Sequence, residues 1–209
     1  MSILHHPSDE LLLGHAAERL EAGPSLVVGA HVAVCPACRT QAERLEAVGG
    51  ALLESLPPAD MAPDALAHAL ARIERPAPPE PEPRTPRGID LTDVLAALPM
   101  GRRRWLGPGM WMRPVERRGP RVTYLLRSGP GRQLPRHTHT GAEYVLVLKG
   151  SFSDQTGRYG PGDFAEGSDD LVHAPRTDSD GECLCLISAE GPMRMRDMIG
   201  RIAQPFFGL

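Results

Sequence analysis

The chain has 209 residues, 23% of them charged, and a formal charge of −3, a length that allows one domain or two. With charge so nearly balanced and no basic run longer than Arg102–Arg104, nothing supports DNA or RNA as the direct partner. No apolar stretch approaches the roughly 18–20 residues of a membrane span, and Met1–Leu13 lacks a charged region followed by an apolar core, so a cytoplasmic protein away from the membrane is expected.

The first part of the chain reads as helical. Ser8 is placed to cap a helix with Asp9 and Glu10 in its first turn and Leu12, Ala16 and Leu20 on one face. Gly23-Pro24 is expected to stop it, and Ser25 to cap a second helix running toward His31. Pro36 suits the first turn of a third helix, continuing to Leu53. A fourth is expected over Met61–Ile73. Residues 1–75 carry ten acidic residues against five arginines.

Within these helices lies the run H-V-A-V-C-P-A-C, with His31, Cys35 and Cys38 at metal-ligand spacing. His31 and Cys35 are four apart and can share a helix face. Cys35 sits at or beside the start of the third helix, where the dipole favours the thiolate that a metal needs. The fourth ligand must come from elsewhere. His5 and His6 are both candidates; Pro7 biases His6 toward an extended conformation that can reach across, and His6 is taken. Structural zinc would compensate for the small core of roughly seventy residues, since it supplies an apparent ~10–16 kcal/mol of folding free energy. A thiol redox pair is the competing reading of C-P-A-C, but that motif belongs in a βαβ context and leaves His31 without a role. A plain buried pair is the third. His15 and His68 read as surface or boundary residues. The spacing resembles that of the zinc-binding anti-sigma family, in which such a domain wraps an extracytoplasmic-function sigma factor and blocks its access to RNA polymerase.

Prolines at 76, 78, 79, 81, 83 and 86 make residues 76–88 an extended spacer between two units expected to fold separately, 1–75 and 89–209. Beyond it, short strands are expected at Met110–Pro114, Arg121–Arg127, Glu143–Leu148, Asp163–Ala165, Leu171–Ala174 and Glu182–Ser188, separated by Gly/Pro turns. That pattern indicates a β-sandwich or small barrel. A closing helix is expected over Asp197–Gln204.

The stretch from Gly131 to Gly150 reads G-x5-H-x-H-x3-E-x6-G. On a strand, His137 and His139 point to the same side, so both rings can face a barrel interior. Glu143 opens the next strand, and His173 completes three histidines and one carboxylate, suited to zinc, iron, manganese or nickel. The run resembles the first cupin motif at Gly131, His137, His139, Glu143 and Gly150. Gly160-Pro161-Gly162-Asp163 and His173 keep part of the second motif, without the usual proline and glycine before the histidine. Cys183 and Cys185 share one face of a strand, a spacing with poor disulfide geometry. They read as inert core thiols or as oxidation targets beside the metal. Four cysteines in two tight pairs do not form a secreted disulfide framework.

Taken together, a helical zinc domain, a proline spacer, a cupin barrel with Cys-x-Cys near its end and the closing A-Q-P-F-F-G-L resemble the ChrR-type anti-sigma factors over the whole chain. The resemblance implies a two-domain architecture, all-α then all-β double-stranded helix. It implies a cytoplasmic, non-enzymatic regulator of transcription that holds one extracytoplasmic-function (group IV) sigma factor one-to-one and releases it during singlet oxygen or other oxidative stress sensed by the cupin. Zinc would sit at His6, His31, Cys35 and Cys38, and zinc or another divalent metal at His137, His139, Glu143 and His173. Leu11, Leu12, Leu26, Leu45, Leu52 and Leu53 would be divided between core and partner. The rival readings are a metal-dependent cupin dioxygenase with an accessory zinc domain, favoured by an open coordination position, and a zinc-finger transcription factor, disfavoured by the acidic helices and lack of a basic recognition helix.

Overall fold

The computed structural model describes residues 2–73, 91, 96 and 98–195. The proline-rich spacer and the expected closing helix at 197–204 lie outside the described residues.

Four helices come first: α1 (Asp9–Ala16), α2 (Ala22–Val34), α3 (Pro36–Glu54) and α4 (Ala65–Ile73). The Ser8 hydroxyl caps α1 by accepting from Leu11 N at 3.5 Å. α1 ends at Ala16, not at Gly23-Pro24, and the chain turns through Glu18 at φ 52°. α2 starts earlier than expected, with Glu21 as its N-cap, so Ser25 lies inside the helix and caps nothing. Pro24 falls in the first turn, where a missing N–H costs no intrahelical bond. α4 begins at Ala65 rather than Met61. No described helix is long and apolar enough to cross a membrane.

Eleven strands follow among the described residues: β1 (Arg104–Gly107), β2 (Met110–Arg118), β3 (Arg121–Ser128), β4 (His137–Thr138), β5 (Glu143–Lys149), β6 (Phe152–Asp154), β7 (Gly157–Tyr159), β8 (Phe164–Gly167), β9 (Arg176–Thr177), β10 (Cys183–Ala189) and β11 (Arg194–Met195). The main sheet has the order β1-β2-β3-β10-β5-β8, and β7-β6-β9 and β11-β4 form smaller sheets. Residues 171–174 do not make the expected strand: a single bridge, His137↔His173, stands there, closed by reciprocal N–H···O bonds of 3.0 Å.

The central strands β3, β5 and β10 are buried on both faces. In register, Cys185 pairs with Leu126 and Val147, while the next residue, Leu186, pairs with Leu125 and Leu146 on the opposite side. Leu126, Val147, Cys185 and Ile187 line the barrel interior with Tyr124 and Phe152. Leu125, Leu146, Leu186 and Phe164 face outward and pack with Val27, Val28 and Leu12 of the helices in a single core. The helical part is therefore a lid on the outer face of the barrel sheet. Gly23 permits the approach: a Cβ there would lie 2.5 Å from Ser188 Oγ and 2.6 Å from Thr123 Oγ1. At the rim, Arg121 and Glu21 pair at 2.7 Å.

Candidate metal centres

The first cluster forms where α2 meets α3. Cys35 is both the C-cap of one helix and the N-cap of the next, extended at φ −102°, ψ 106°. The kink it makes brings His31, from the last turn of α2, beside Cys38 in the first turn of α3. His31 Nε2 lies 3.3 Å from Cys38 Sγ, and His6 Nδ1 lies 3.3 Å from Cys38 Sγ and 3.5 Å from Cys35 Sγ. All four ligand atoms fall within 4.8 Å of one another. A tetrahedral ion with bonds of ~2.3 Å to sulfur and ~2.0–2.1 Å to nitrogen separates its ligand atoms by about 3.3–3.8 Å, so the spacing fits zinc. His5, the rival for the fourth position, points elsewhere, its Nδ1 3.5 Å from Asp163 Oδ2.

Protonation suits the same use. Burial lowers the His31 pKa to about 4, keeping the ring neutral at pH 7. Its Nδ1–H donates to Gly162 O at 2.9 Å, which leaves the Nε2 lone pair facing the cluster. Burial, reinforced by the neighbouring Cys35, pushes the Cys38 thiol up to about 12. A cation is what makes its thiolate affordable, and metal uptake must release that proton.

The second cluster lies inside the barrel. His137 and His173 are held as partners by the bridge between their backbones, and His139 follows after the short strand β4. His173 Nε2 is 3.1 Å from both His137 Nε2 and His139 Nε2. His137 Nδ1 donates to Pro135 O at 2.7 Å and His173 Nδ1 to Asp154 Oδ2 at 3.0 Å. With both outer nitrogens donating, two Nε2 lone pairs face each other at contact distance, an arrangement that repels unless a cation lies between. The donor set therefore fits a metal on its own geometry. Burial keeps His137 and His139 neutral, their pKa values lowered to about 4 and about 3.

Glu143 stands beside this group. Its Oε2 is 3.1 Å from His139 Nε2, but the mutually close set comprises the three histidines alone. The Tyr124 hydroxyl also bonds to it, and burial raises its pKa to about 7. A cation close by would restore the carboxylate. The cavity beside the cluster is mainly apolar, walled by Leu126, Leu134, Val145, Phe152 and Ile187, with Cys183 and Cys185 also on its lining. The two buried thiols share a hydrogen bond, sulfurs 3.5 Å apart, and form no disulfide.

Sequence reasoning missed Asp154 and Asp163. Asp154 accepts from Thr156 N at 2.8 Å as well as from His173. Its only local signal is an Asx-turn in D-Q-T-G. Asp163 is legible only as part of Gly160-Pro161-Gly162-Asp163, a turn and a piece of the second cupin motif, which carries no sign of the distant backbone it holds.

Residues 99–193 match the family described as the ChrR cupin-like domain. The chain is 37% identical over 213 aligned positions to the anti-sigma-E factor ChrR of Cereibacter sphaeroides, covering 99% of each. Among solved structures, it resembles the crystal structure of Rhodobacter sphaeroides SigE in complex with the anti-sigma ChrR, with a TM-score of 0.74 and 35% identity, covering 90% of this chain and 100% of that one.

Proposed function

The chain belongs to the ChrR family of anti-sigma factors, and from that membership we propose that it sequesters one extracytoplasmic-function sigma factor in the cytoplasm and releases it when its cupin barrel registers singlet oxygen or a related oxidant. The observation that carries this reading is similarity over 99% of both chains, joined to two ligand clusters that sit in different parts of the same fold.

The division of labour follows the chemistry. Residues 1–75 act as the sigma-binding module, 76–88 as linker and 89–209 as the cupin. Zinc on His6, His31, Cys35 and Cys38 ties the N-terminal segment to the α2–α3 junction and fixes the angle between those helices. Leu11 and Leu12 are buried, whereas Leu52 and Leu53 are 64% and 69% exposed. Val48, Leu56, Leu66, Leu70 and Ile73 are exposed with them. Apolar surface on that scale suits a protein partner, and the long α3 and amphipathic α4 present it.

In the barrel, His137, His139 and His173, with Glu143 beside them, hold zinc or another divalent metal. Such a metal, when bound, supplies a Lewis-acid centre at the floor of an apolar cavity. The chain's own residues orient the rings, exclude bulk water and place two thiols on the cavity wall. Release of sigma requires the oxidised barrel to disfavour the bound state, because a signal that acts equally on both states shifts nothing.

Two measurements test the proposal. The full chain, co-expressed with an extracytoplasmic-function sigma factor of the same organism, retains it through purification and blocks its transcription in vitro. His137→Ala with Glu143→Ala leaves that repression intact and blunts induction by singlet oxygen; undiminished induction would remove the barrel from sensing. The three-histidine site also favours a second reading, a dioxygenase. Oxygen consumption by the iron-loaded chain with a thiol or diketone would establish it in place of a regulator without turnover.

A further inference from the structure

Three ligands of the helical centre come from adjoining helices, but His6 does not. It sits on the segment leading into α1, outside any helix or strand, and is the exposed member of the set. What fixes that segment is the barrel. Asp163, 4% exposed, directs Oδ1 at Leu4 N (2.7 Å) and His5 N (3.0 Å), while Oδ2 accepts from Gly160 N at 2.8 Å. Phe164 N donates to His5 O at 3.1 Å, and the Tyr159 ring packs on His5 with centroids 4.4 Å apart. Next door, Gly162 O takes the Nδ1–H of His31, and Gly162 N is itself tied to Val147 O at 2.8 Å. Gly162 has φ +88°, and a Cβ there would meet Ile3 Cδ1 at 2.8 Å. The turn is thus shaped to receive residues 3–5.

We propose that Gly162 and Asp163 of the barrel are positioning residues for the helical metal centre, Gly162 orienting His31 and Asp163 clamping the backbone that delivers His6. The inference rests on the reading of that centre as a zinc site. Two of the four ligands then owe their placement to a turn in the other half of the molecule. Hydrogen bonds to an ionised carboxylate are stronger than neutral ones, and outer partners of metal ligands typically govern affinity by ~10–100-fold. Without the clamp, His6 leaves more often, and Cys35 and Cys38 become open to chelators and thiol reagents.

The test uses the full-length, zinc-loaded protein. The rate at which EDTA removes zinc is followed together with the reaction of Cys35 and Cys38 with a disulfide reagent. Asp163→Ala is expected to raise both rates at least about tenfold. Asp163→Asn, which keeps an oxygen for Leu4 N and His5 N, restores most of the difference. Because Asp163 also holds Gly160, Leu4→Pro supplies an independent arm: it deletes one clamped N–H and leaves the barrel turn untouched. It should accelerate both rates in the same direction, while Cys183 and Cys185 stay unreactive. Unchanged rates in Asp163→Ala and Leu4→Pro, with one zinc per helical centre in every protein, would overturn the inference and leave the zinc reading standing. Absence of zinc from that centre in the unsubstituted protein would overturn both.

Discussion

Asp154 accepts a hydrogen bond from His173 Nδ1 at 3.0 Å, and so decides which nitrogen of that ring faces the interior of the barrel. The carboxylate is itself held by Thr156, and these bonds outweigh its burial to lower its pKa to about 2. Asp154→Ala would free the ring to rotate and to change tautomer. We expect the barrel to lose metal affinity by about 10–100-fold, read as metal content under graded chelator competition, with the helical site retaining its zinc. Equal retention at both sites would deny Asp154 this role.

Replacing both thiols of the helical centre, Cys35→Ser with Cys38→Ser, leaves two imidazoles and two hydroxyls that bind zinc poorly at neutral pH. The segment before α1 then loses its tie to the α2–α3 junction. Sigma should no longer co-purify, while the barrel keeps its metal. Full sequestration by this double variant would show that zinc does not organise the binding surface.

Leu66→Asp with Leu70→Asp places two charges on one face of α4, where these residues are 68% and 51% exposed. Nothing in the free protein's core is touched, so its melting should move little, within roughly 0.5 kcal/mol per site. If that face is a hot spot for sigma, affinity falls at least about tenfold, since truncating a hot-spot residue costs about 2 kcal/mol or more and tenfold corresponds to about 1.4 kcal/mol. Titration calorimetry or competition binding would report it; unchanged affinity would move the interface off α4.

Acid should strip and destabilise the protein in a defined window. Burial lowers the pKa values of His31, His137 and His139 to about 4, 4 and 3, against an ordinary 6.5. Below pH 6.5 the unfolded chain binds more protons at these rings than the folded one, so their contribution is complete above that pH and is lost as pH falls toward 4. Glu143, raised to about 7, acts in the opposite sense without metal, favouring the folded state as pH falls from 7 to 4.5. Three rings outweigh one carboxyl, and protons also compete with metal for the histidines. Melting temperature and bound metal should fall together between pH 6.5 and 4; a flat profile over that range would contradict the buried, neutral histidines.

Local chemistry was legible wherever a residue acts within a few positions of itself. Ser8 caps α1, Pro36 opens α3, and the H-x3-C-x2-C and H-x-H spacings put their side chains together as read. Pro24 is ambiguous because a proline that ends one helix and a proline in the first turn of the next look alike in one dimension. The strands at 137–138, 152–154 and 176–177 are too short to carry a period, and exist only through pairing with equally short segments elsewhere in the chain.

Two strands carry in their composition a sign of what covers them. Y-V-L-V-L and C-L-C-L-I are apolar at consecutive positions, whereas a barrel strand with one face in water should alternate. That composition meant the outer face was covered, and the helices are what cover it.

The chain's order of residues by itself determined which atoms could bind metal, that Ser8 and Pro36 open helices and that a proline-rich stretch separates helical from strand-forming sequence, because each of these depends on neighbours within a turn or two. Only the tertiary structure decided that His5 turns toward Asp163, that Glu143 stands beside three clustered histidines, and that Asp163 grips a backbone some 160 residues away. Such choices are made by packing two surfaces against each other, and a contact between distant segments leaves no spacing to read.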